Sequence, residues 1–188
     1  MNEAHKACGG DEWRAVVREH IIPGAVRDLD LGDDVLEVGP GYGATTDVLS
    51  ELVPRLTAVE IDDELAAFLT DRFAAASHVT IHRGDATALT FDDARFSAAM
   101  SFTMLHHVPT VELQDALFAE VARVLRPGAP LVAGDSLKSE ELEAHHEGDT
   151  YNPVDPATLP DRLAAAGFVD VEVSTNPFAW SVRATRAG

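Results

Sequence analysis

Residues 35–43, Val-Leu-Glu-Val-Gly-Pro-Gly-Tyr-Gly, constrain the fold of this chain more than any other stretch. A short apolar run that contains Glu37 leads into three glycines at alternate positions, Gly39, Gly41 and Gly43. A glycine-rich turn between a strand and a helix lets backbone N–H groups approach a ligand closely, because no Cβ stands in the way. The stretch therefore predicts a nucleotide-cofactor site at the end of a buried strand in an α/β protein.

The spacing of the glycines indicates the class of cofactor. Dinucleotide sites use Gly-x-Gly-x-x-Gly, with the pyrophosphate at the helix N-terminus. Here the spacing is Gly-x-Gly-x-Gly, and the carboxylate of Glu37 precedes it. That carboxylate would repel a pyrophosphate but could accept hydrogen bonds from an amino-acid ammonium group. An NAD(P)-linked oxidoreductase also needs a site for its hydride substrate, which the sequence does not reveal, so this class is disfavoured.

The same residues resemble motif I of the class I S-adenosylmethionine-dependent methyltransferases. The resemblance implies S-adenosylmethionine as cofactor, with Glu37 and the three glycines around its methionine end. Glu60 ends the second apolar run, where doubly wound nucleotide sites place a carboxylate that binds two ribose hydroxyls. Asp85 follows the third run in a segment that resembles the family's adenine-binding segment. The predicted cofactor-binding residues are Glu37, Gly39, Gly41, Gly43, Glu60, Ile61, Gly84, Asp85, Ala86 and Ser101.

Residues 96–109 resemble the fourth-strand segment of the small-molecule branch typified by ubiquinone and menaquinone biosynthesis methyltransferases. This segment contains Leu-His-His-Val at positions 105–108. Histidine has an ordinary pKa of about 6.5, which suits removal of a proton near neutrality. His106 is therefore the candidate catalytic base, if the acceptor must lose a proton. The alternative is a histidine that only packs beneath the acceptor pocket, which is the commoner role of a single histidine.

A second resemblance, over residues 35–65, is to the ribosomal RNA adenine dimethyltransferases. Those enzymes carry an Asn/Asp-Leu-Pro-Tyr/Phe motif after the fourth strand, where this chain has Ser-Phe-Thr-Met at 101–104. The formal net charge of −18, from 14 basic and 32 acidic side chains, also repels phosphate backbones and anionic membranes. We therefore expect a small-molecule acceptor, with neither nucleic acid nor membrane as a partner. The alternative function is a non-catalytic S-adenosylmethionine-binding or regulatory module.

Metal-binding side chains occur together in one segment of the chain, at His145, His146, Glu147 and Asp149. Adjacent histidines in an acidic run are more typical of a solvated loop than of a metal site. Cys8 is the only cysteine, which excludes a cysteine-based cluster and an intrachain disulfide. The sequence therefore predicts no metal site.

Alternating strand and helix patterns predict an α/β fold, a doubly wound, mostly parallel sheet with helices on both faces. A final strand pair predicts a closing antiparallel strand, as in the seven-stranded, Rossmann-like methyltransferase sheet that the resemblance implies. We expect one domain over residues 1–188, with a helical cap at 1–30 and a lid or acceptor loop at 135–152. The first helix is predicted over 11–26, ending or kinking near Pro23. Strands are predicted at 35–38, 56–61, 79–81, 96–101, 130–133, 168–173 and 178–182.

The sequence contains no apolar run of the length that crosses a membrane, and its first residues are charged rather than apolar. These features predict a cytoplasmic protein.

Overall fold

Strands and helices alternate along residues 8–188, the part of the chain that this computed structural model describes. The strands are β1 Val35–Val38, β2 Leu56–Glu60, β3 Val79–Arg83, β4 Ala98–Phe102, β5 Pro130–Ser136, β6 Phe168–Thr175 and β7 Ala179–Arg186. The helices are α1 Asp11–Val16, α2 Ile22–Ala25, α3 Ala44–Leu52, α4 Asp63–Arg72, α5 Val111–Val124, α6 Glu140–His145 and α7 Leu159–Ala166. A π-helical segment, Val17–Ile21, joins α1 to α2, and 3₁₀ turns occupy Leu105–His107 and Pro156–Thr158.

The strands form one seven-stranded sheet in the order β3-β2-β1-β4-β5-β7-β6. The pairs from β3 to β5 are parallel, whereas β7 lies antiparallel to both β5 and β6. The predicted fold class is therefore confirmed, including the closing antiparallel strand. The direction of strand addition reverses between β1 and β4, and open α/β sheets bind ligands beyond the carboxyl ends of the strands at this reversal.

Helices cover both faces of the sheet. On one face, α5 and α7 contribute Phe118 and Leu163 to a core that also contains Trp180 of β7. On the other face, Ile22 and Leu49 pack with the apolar side chains of β1 and β4. Burial of these side chains from both faces explains why the residues of β1, β2 and β4 are all buried.

The N-terminal helix is interrupted where the sequence predicted one helix with a kink near Pro23. The π-helical segment Val17–Ile21 precedes Pro23, which lies in the first turn of α2. Proline has no backbone N–H, and its ring crowds the carbonyl four residues earlier. A π-helical turn accommodates such a defect within a continuous helical path.

β5 is longer than predicted, and it takes in residues that the sequence placed in a loop. Asp135 pairs with Trp180, and Ser136 pairs with Ala179 in β7. Backbone pairing with β7 thus holds Asp135 and Ser136 at the end of the sheet where the cavity described below is located. The lid or acceptor loop predicted over 135–152 begins inside β5 and contains the short helix α6. In the described part of the chain, no helix has both the length and the apolar character needed to cross a membrane.

Candidate functional site

A cavity of about 580 Å³ lies beyond the carboxyl ends of the central strands. Trp13 of α1 lines one side of it, and Leu142 of α6 lines another. The predicted site residues that line this cavity are Gly39, Gly41, Glu60, Ile61, Gly84, Asp85, Ala86 and His106. Glu37, Gly43 and Ser101 are not among the lining residues. The structure therefore brings eleven sequence-predicted residues to one end of the sheet but places three of them behind the cavity wall.

The glycine turn requires residues without a side chain. Gly39, Gly41 and Gly43 all have positive φ angles, of 69°, 55° and 79°. A Cβ atom on Gly39 would lie 2.0 Å from Cγ of Met104, and one on Gly43 would lie 2.8 Å from a side-chain carbon of Leu69. Gly39 and Gly43 are thus fixed both by conformation and by close packing, and Gly41 by conformation alone.

Glu60 ends β2 with its carboxylate against the glycine turn. Oε2 accepts a hydrogen bond from the Gly41 N–H at 3.1 Å, and Oε1 accepts one from the Asp62 N–H at 3.0 Å. Burial raises the pKa of Glu60, and these backbone hydrogen bonds oppose the shift. Each carboxylate oxygen has two acceptor sites, so both oxygens retain capacity for a hydroxyl donor.

Asp85 stands at the cavity wall in a tight turn. Its Oδ1 accepts hydrogen bonds from the backbone N–H and the hydroxyl of Thr87, both at 2.8 Å. The turn holds the carboxylate in place after β3. This is the position at which the sequence predicts contact with an adenine amine.

Glu37, the acidic residue of the glycine motif, lies inside the protein. It is 2 % exposed, and burial raises its pKa to about 8. Interaction with the Thr46 side chain opposes this shift, and the nearby carboxyls of Asp47 and Glu60 add to it. Within the described part of the chain, a buried side-chain oxygen of Glu37 and that of Ser101 have no hydrogen-bond partner. Orphaned buried oxygens are uncommon in folded proteins, and a donor from a bound molecule is one way to satisfy them. The residues beneath the turn therefore fit a ligand that brings a polar donor such as an ammonium group.

The buried carboxyl of Glu37 makes stability depend on pH. Its folded pKa of about 8 exceeds its ordinary value of 4.5, so the folded state binds the proton more tightly than the unfolded state does. The resulting stabilisation is complete below the ordinary value and is lost as the pH rises through about 8. We expect the cofactor-free protein to lose a few kcal/mol of unfolding free energy between about pH 5 and pH 8, since one pKa unit corresponds to about 1.4 kcal/mol.

Chemical denaturation of the wild type and Glu37→Gln across this pH range would measure the loss. Both proteins share the same surface carboxylates, so the difference between their unfolding free energies isolates Glu37. That difference should move in favour of the glutamine variant as the pH rises. Parallel pH profiles for the two proteins would refute the assignment.

His106 is held by a buried aspartate, Asp135. The His106 ring nitrogen Nδ1 lies 2.7 Å from Oδ1 of Asp135, and the backbone N–H of His106 donates to Oδ2 at 3.1 Å. Asp135 is 2 % exposed and also accepts the Ser136 N–H. A carboxylate at Nδ1 selects the tautomer that carries its proton there and leaves Nε2 as the acceptor nitrogen.

Sequence reasoning missed Asp135, which it placed at the start of a loop. One feature could have indicated its role. Asp135 lies near the carboxyl end of β5, and β5 pairs with β4, the strand that leads to His106. In a parallel sheet, residues at the carboxyl ends of neighbouring strands meet at one edge.

The rings of two more histidines and a tyrosine pack around His106. Its ring centroid lies 4.2 Å from that of His107 and 4.8 Å from that of His146. The ring of Tyr151 stacks on His146 at 4.6 Å. Burial lowers the pKa of His146, which favours its neutral form. His146 was one of the metal-binding candidates considered from the sequence. The sequence did not indicate that it lies beside His106 and His107.

A charged network ties the N-terminal helix to the glycine turn. Arg14 of α1 donates to the Tyr42 carbonyl at 2.9 Å and forms an ion pair with Asp47 of α3. Arg72 of α4 pairs with the same carboxylate at 2.7 Å and donates to the same carbonyl at 3.2 Å. The side chains of Arg14 and Asp47 are about one-fifth exposed, so solvent and salt screen this pair less than a fully exposed one. No local sequence pattern indicates this network, because its charged side chains come from three different helices.

The chain matches the family described as "Methyltransferase domain" over residues 36–133. Among curated proteins, it is 34% identical over 157 residues to a protein of Natronomonas pharaonis named "Probable ribosomal RNA small subunit methyltransferase A". That alignment covers 81% of this chain and 50% of the relative. The chain therefore spans about half the length of this relative.

Solved structures share the fold at low sequence identity. A crystal structure of a Pyrococcus horikoshii protein matches with a TM-score of 0.82, 17% identity and 99% coverage of both chains. Phosphoethanolamine N-methyltransferase 2 of Haemonchus contortus, in complex with S-adenosyl-L-methionine, matches with a TM-score of 0.75 and 14% identity. That match covers 96% of this chain and 53% of the other. At these identities the likeness concerns the fold.

Proposed function

Because this chain belongs to the class I S-adenosylmethionine-dependent methyltransferases, we propose that it transfers the methyl group of S-adenosylmethionine to a small-molecule acceptor. The observation that carries this proposal is the cavity that joins the glycine turn and Glu60 at one end to His106 at the other, with the His106 ring held by Asp135. One end fits a nucleoside with an amino-acid tail, and the other holds a positioned proton acceptor.

The proposed cofactor contacts follow from the geometry of the turn. Glu60 accepts the ribose hydroxyls, since its carboxylate lines the cavity and retains acceptor capacity. Asp85 accepts the adenine amine, with Ile61, Gly84 and Ala86 along the same wall. Gly39 and Gly41 make room for the methionine end. Glu37, Gly43 and Ser101 act from behind the wall. There a bound ammonium group would favour the ionised form of Glu37, against the burial that raises its pKa, and would donate to its unsatisfied oxygen.

In the proposed reaction, His106 takes the proton that the acceptor loses. S-adenosylmethionine supplies, when bound, a methyl group on a sulfonium whose S–C bond breaks as the new bond to the acceptor forms. The proton of the acceptor passes to Nε2 of His106, and Asp135 stabilises the resulting imidazolium through Nδ1. The remaining contribution of the protein is to hold the reacting groups in line in a cavity with little water.

The acceptor pocket is proposed to lie between the predicted N-terminal cap and the segment 135–152. Residues 1–7 of the predicted cap lie outside the described part of the chain. Trp13 from the cap and Leu142 from α6 line the cavity together with Met104 and Leu113. Such apolar walls suit an uncharged organic molecule. A volume of about 580 Å³ is also typical of sites for small ligands, which occupy about 300–1,000 Å³.

Ribosomal RNA is the acceptor that the name of the Natronomonas pharaonis relative indicates, and two features weigh against it here. The formal net charge of −18 opposes binding of a phosphate backbone. Positions 101–104 read Ser-Phe-Thr-Met, where the RNA enzymes carry Asn/Asp-Leu-Pro-Tyr/Phe. We therefore favour a small molecule.

Calorimetric titration with S-adenosylmethionine, S-adenosylhomocysteine and NADH, followed by a methyl-transfer screen, would test the proposed function. The screen would present phenolic, amine and thiol compounds and a ribosomal RNA fragment together with methyl-labelled cofactor. We expect micromolar binding of the first two ligands and label transfer to a small molecule. Transfer to RNA alone would refute the small-molecule acceptor. Binding without transfer to any acceptor would favour the alternative, a non-catalytic cofactor-binding module, and binding of NADH alone would refute the cofactor.

A further inference from the structure

Three imidazoles converge at the acceptor end of the cavity. His106, His107 and His146 each offer one ring nitrogen, and these three nitrogens all lie within 4.8 Å of one another. His106 and His107 come from the 3₁₀ turn after β4, whereas His146 follows α6. The fold thus brings the imidazole groups of two segments that are distant in sequence close to one another.

The surroundings of two of these rings resemble the outer shell of a metal site. Nδ1 of His106 lies 2.7 Å from Asp135 Oδ1, and Nδ1 of His146 lies 2.6 Å from the Leu142 carbonyl oxygen. Metal-binding histidines characteristically donate one ring N–H to a carboxylate or a backbone carbonyl, which fixes the tautomer and presents the other nitrogen. Both histidines are held in that manner, so Nε2 is the nitrogen that each presents.

The distances are compatible with a tetrahedral ion after a small side-chain movement. Zn–N bonds of about 2.0–2.1 Å place tetrahedral ligand nitrogens about 3.4 Å apart. The three nitrogens already lie within 4.8 Å of one another, so small rotations of the imidazole side chains would bring them to this spacing.

We propose that His106, His107 and His146 form a binding site for a transition-metal ion of the Zn²⁺ type, with its fourth coordination position toward the cavity. Three neutral imidazoles and one open position are a ligand set that zinc uses. The buried carboxylate of Asp135 and the strongly negative net charge of the chain both favour a dication there. This proposal departs from the sequence-based prediction of no metal, which considered residues 145–149 without His106 and His107 of the 3₁₀ turn.

This site goes beyond the proposed methyl transfer and does not depend on it. Nε2 of His106 can bind a metal ion or accept a proton, but not both at once. The ion and the proton-accepting role are therefore alternative states of the same residue, and metal binding can be measured without cofactor or acceptor.

The test is titration of tag-free, EDTA-treated protein with Co²⁺, whose visible absorption reports tetrahedral coordination. We expect one ion per chain with the intense absorption of a tetrahedral site, displaced by Zn²⁺. His107→Ala and His146→Ala should each abolish that absorption. Asp135→Asn, which changes the outer carboxylate, should weaken binding by about 10- to 100-fold. His20→Ala is the matched control, because His20 is exposed and belongs to the π-helical segment.

Binding of S-adenosylmethionine and the thermal midpoint of each variant would show that it is folded. Absence of stoichiometric cobalt binding by the wild type would overturn the proposal. Wild-type cobalt spectra from both folded histidine variants would also overturn it. If the wild type binds cobalt but not S-adenosylmethionine, the metal site stands while the proposed function fails.

Discussion

His106→Ala should lower kcat for methyl transfer by about 10²- to 10⁴-fold, the range that a positioned general base contributes. Affinity for S-adenosylmethionine should change little, because the cofactor contacts are proposed to lie at the other end of the cavity. The physical reason is the pairing with Asp135, which holds the ring and leaves Nε2 to accept the proton. Initial rates and calorimetry, both in EDTA so that no metal occupies the ring, would measure the two quantities.

The Asp135→Asn variant tests whether Asp135 positions and stabilises the charged form of His106 or only supports the local structure. The amide retains an oxygen that can accept the backbone N–H of His106 but cannot stabilise an imidazolium as a carboxylate does. We therefore expect kcat to fall while KM for the acceptor and the thermal midpoint stay close to the wild type. His20→Ala, remote from the cavity, should leave all three unchanged. Full turnover by His106→Ala with bound cofactor would eliminate the base role.

Glu60→Ala should weaken S-adenosylmethionine binding by at least about 100-fold, because hydrogen bonds to a charged group contribute about 1.5–3 kcal/mol each. The substitution removes the proposed acceptor of the ribose hydroxyls. It also removes the acceptor of the Gly41 and Asp62 N–H groups, which loosens the glycine turn. Calorimetric titration of both proteins at one pH would measure the loss.

Two further variants identify the source of that effect. Glu60→Gln keeps one side-chain acceptor and should bind with intermediate affinity. Glu64→Ala removes an exposed carboxylate of α4 and should bind like the wild type, which controls for the change in net charge. Unchanged affinity in folded Glu60→Ala would show that the carboxylate does not contact the cofactor.

The succession of strands and helices along the chain and the glycine turn could be predicted, because their signals are local. A run of buried residues, three glycines that need positive φ, and Asp62 as an N-cap for α4 each act within a few positions of the chain. The resemblance then supplied the topology, which the sheet order confirms.

The acceptor end could not be predicted in the same way, because its contacts join distant positions. Asp135 meets His106 across neighbouring strands, and His146 reaches the same place from the segment after α6. The sequence pattern around each residue is that of a strand end or an acidic loop. Only the parallel register of β4 and β5, together with the fold of the following segment, brings them together.

The depth of Glu37 was not predicted from the sequence. Its contact with the ammonium group of a cofactor stays a prediction, and the structure places the residue behind the cavity wall with an unsatisfied oxygen. All four residues of β1 are buried, because β1 pairs with strands on both sides and helices cover both faces of the sheet. The sequence shows that position 37 carries a carboxyl group, but how deeply that group is buried depends on the complete fold.

The Tyr42 carbonyl accepts hydrogen bonds from both Arg14 and Arg72, so the N-terminal helix and α4 are fastened to the same peptide of the glycine turn. A ligand that orders this turn would also strengthen the attachment of the N-terminal helix, because Arg14 binds the same peptide. Thermodynamic linkage is reciprocal, so the helix must change ligand affinity by the same factor by which the ligand changes helix attachment. Through Arg14, the equilibrium affinity of the turn for a ligand therefore depends on the N-terminal helix as well as on the residues that line the cavity.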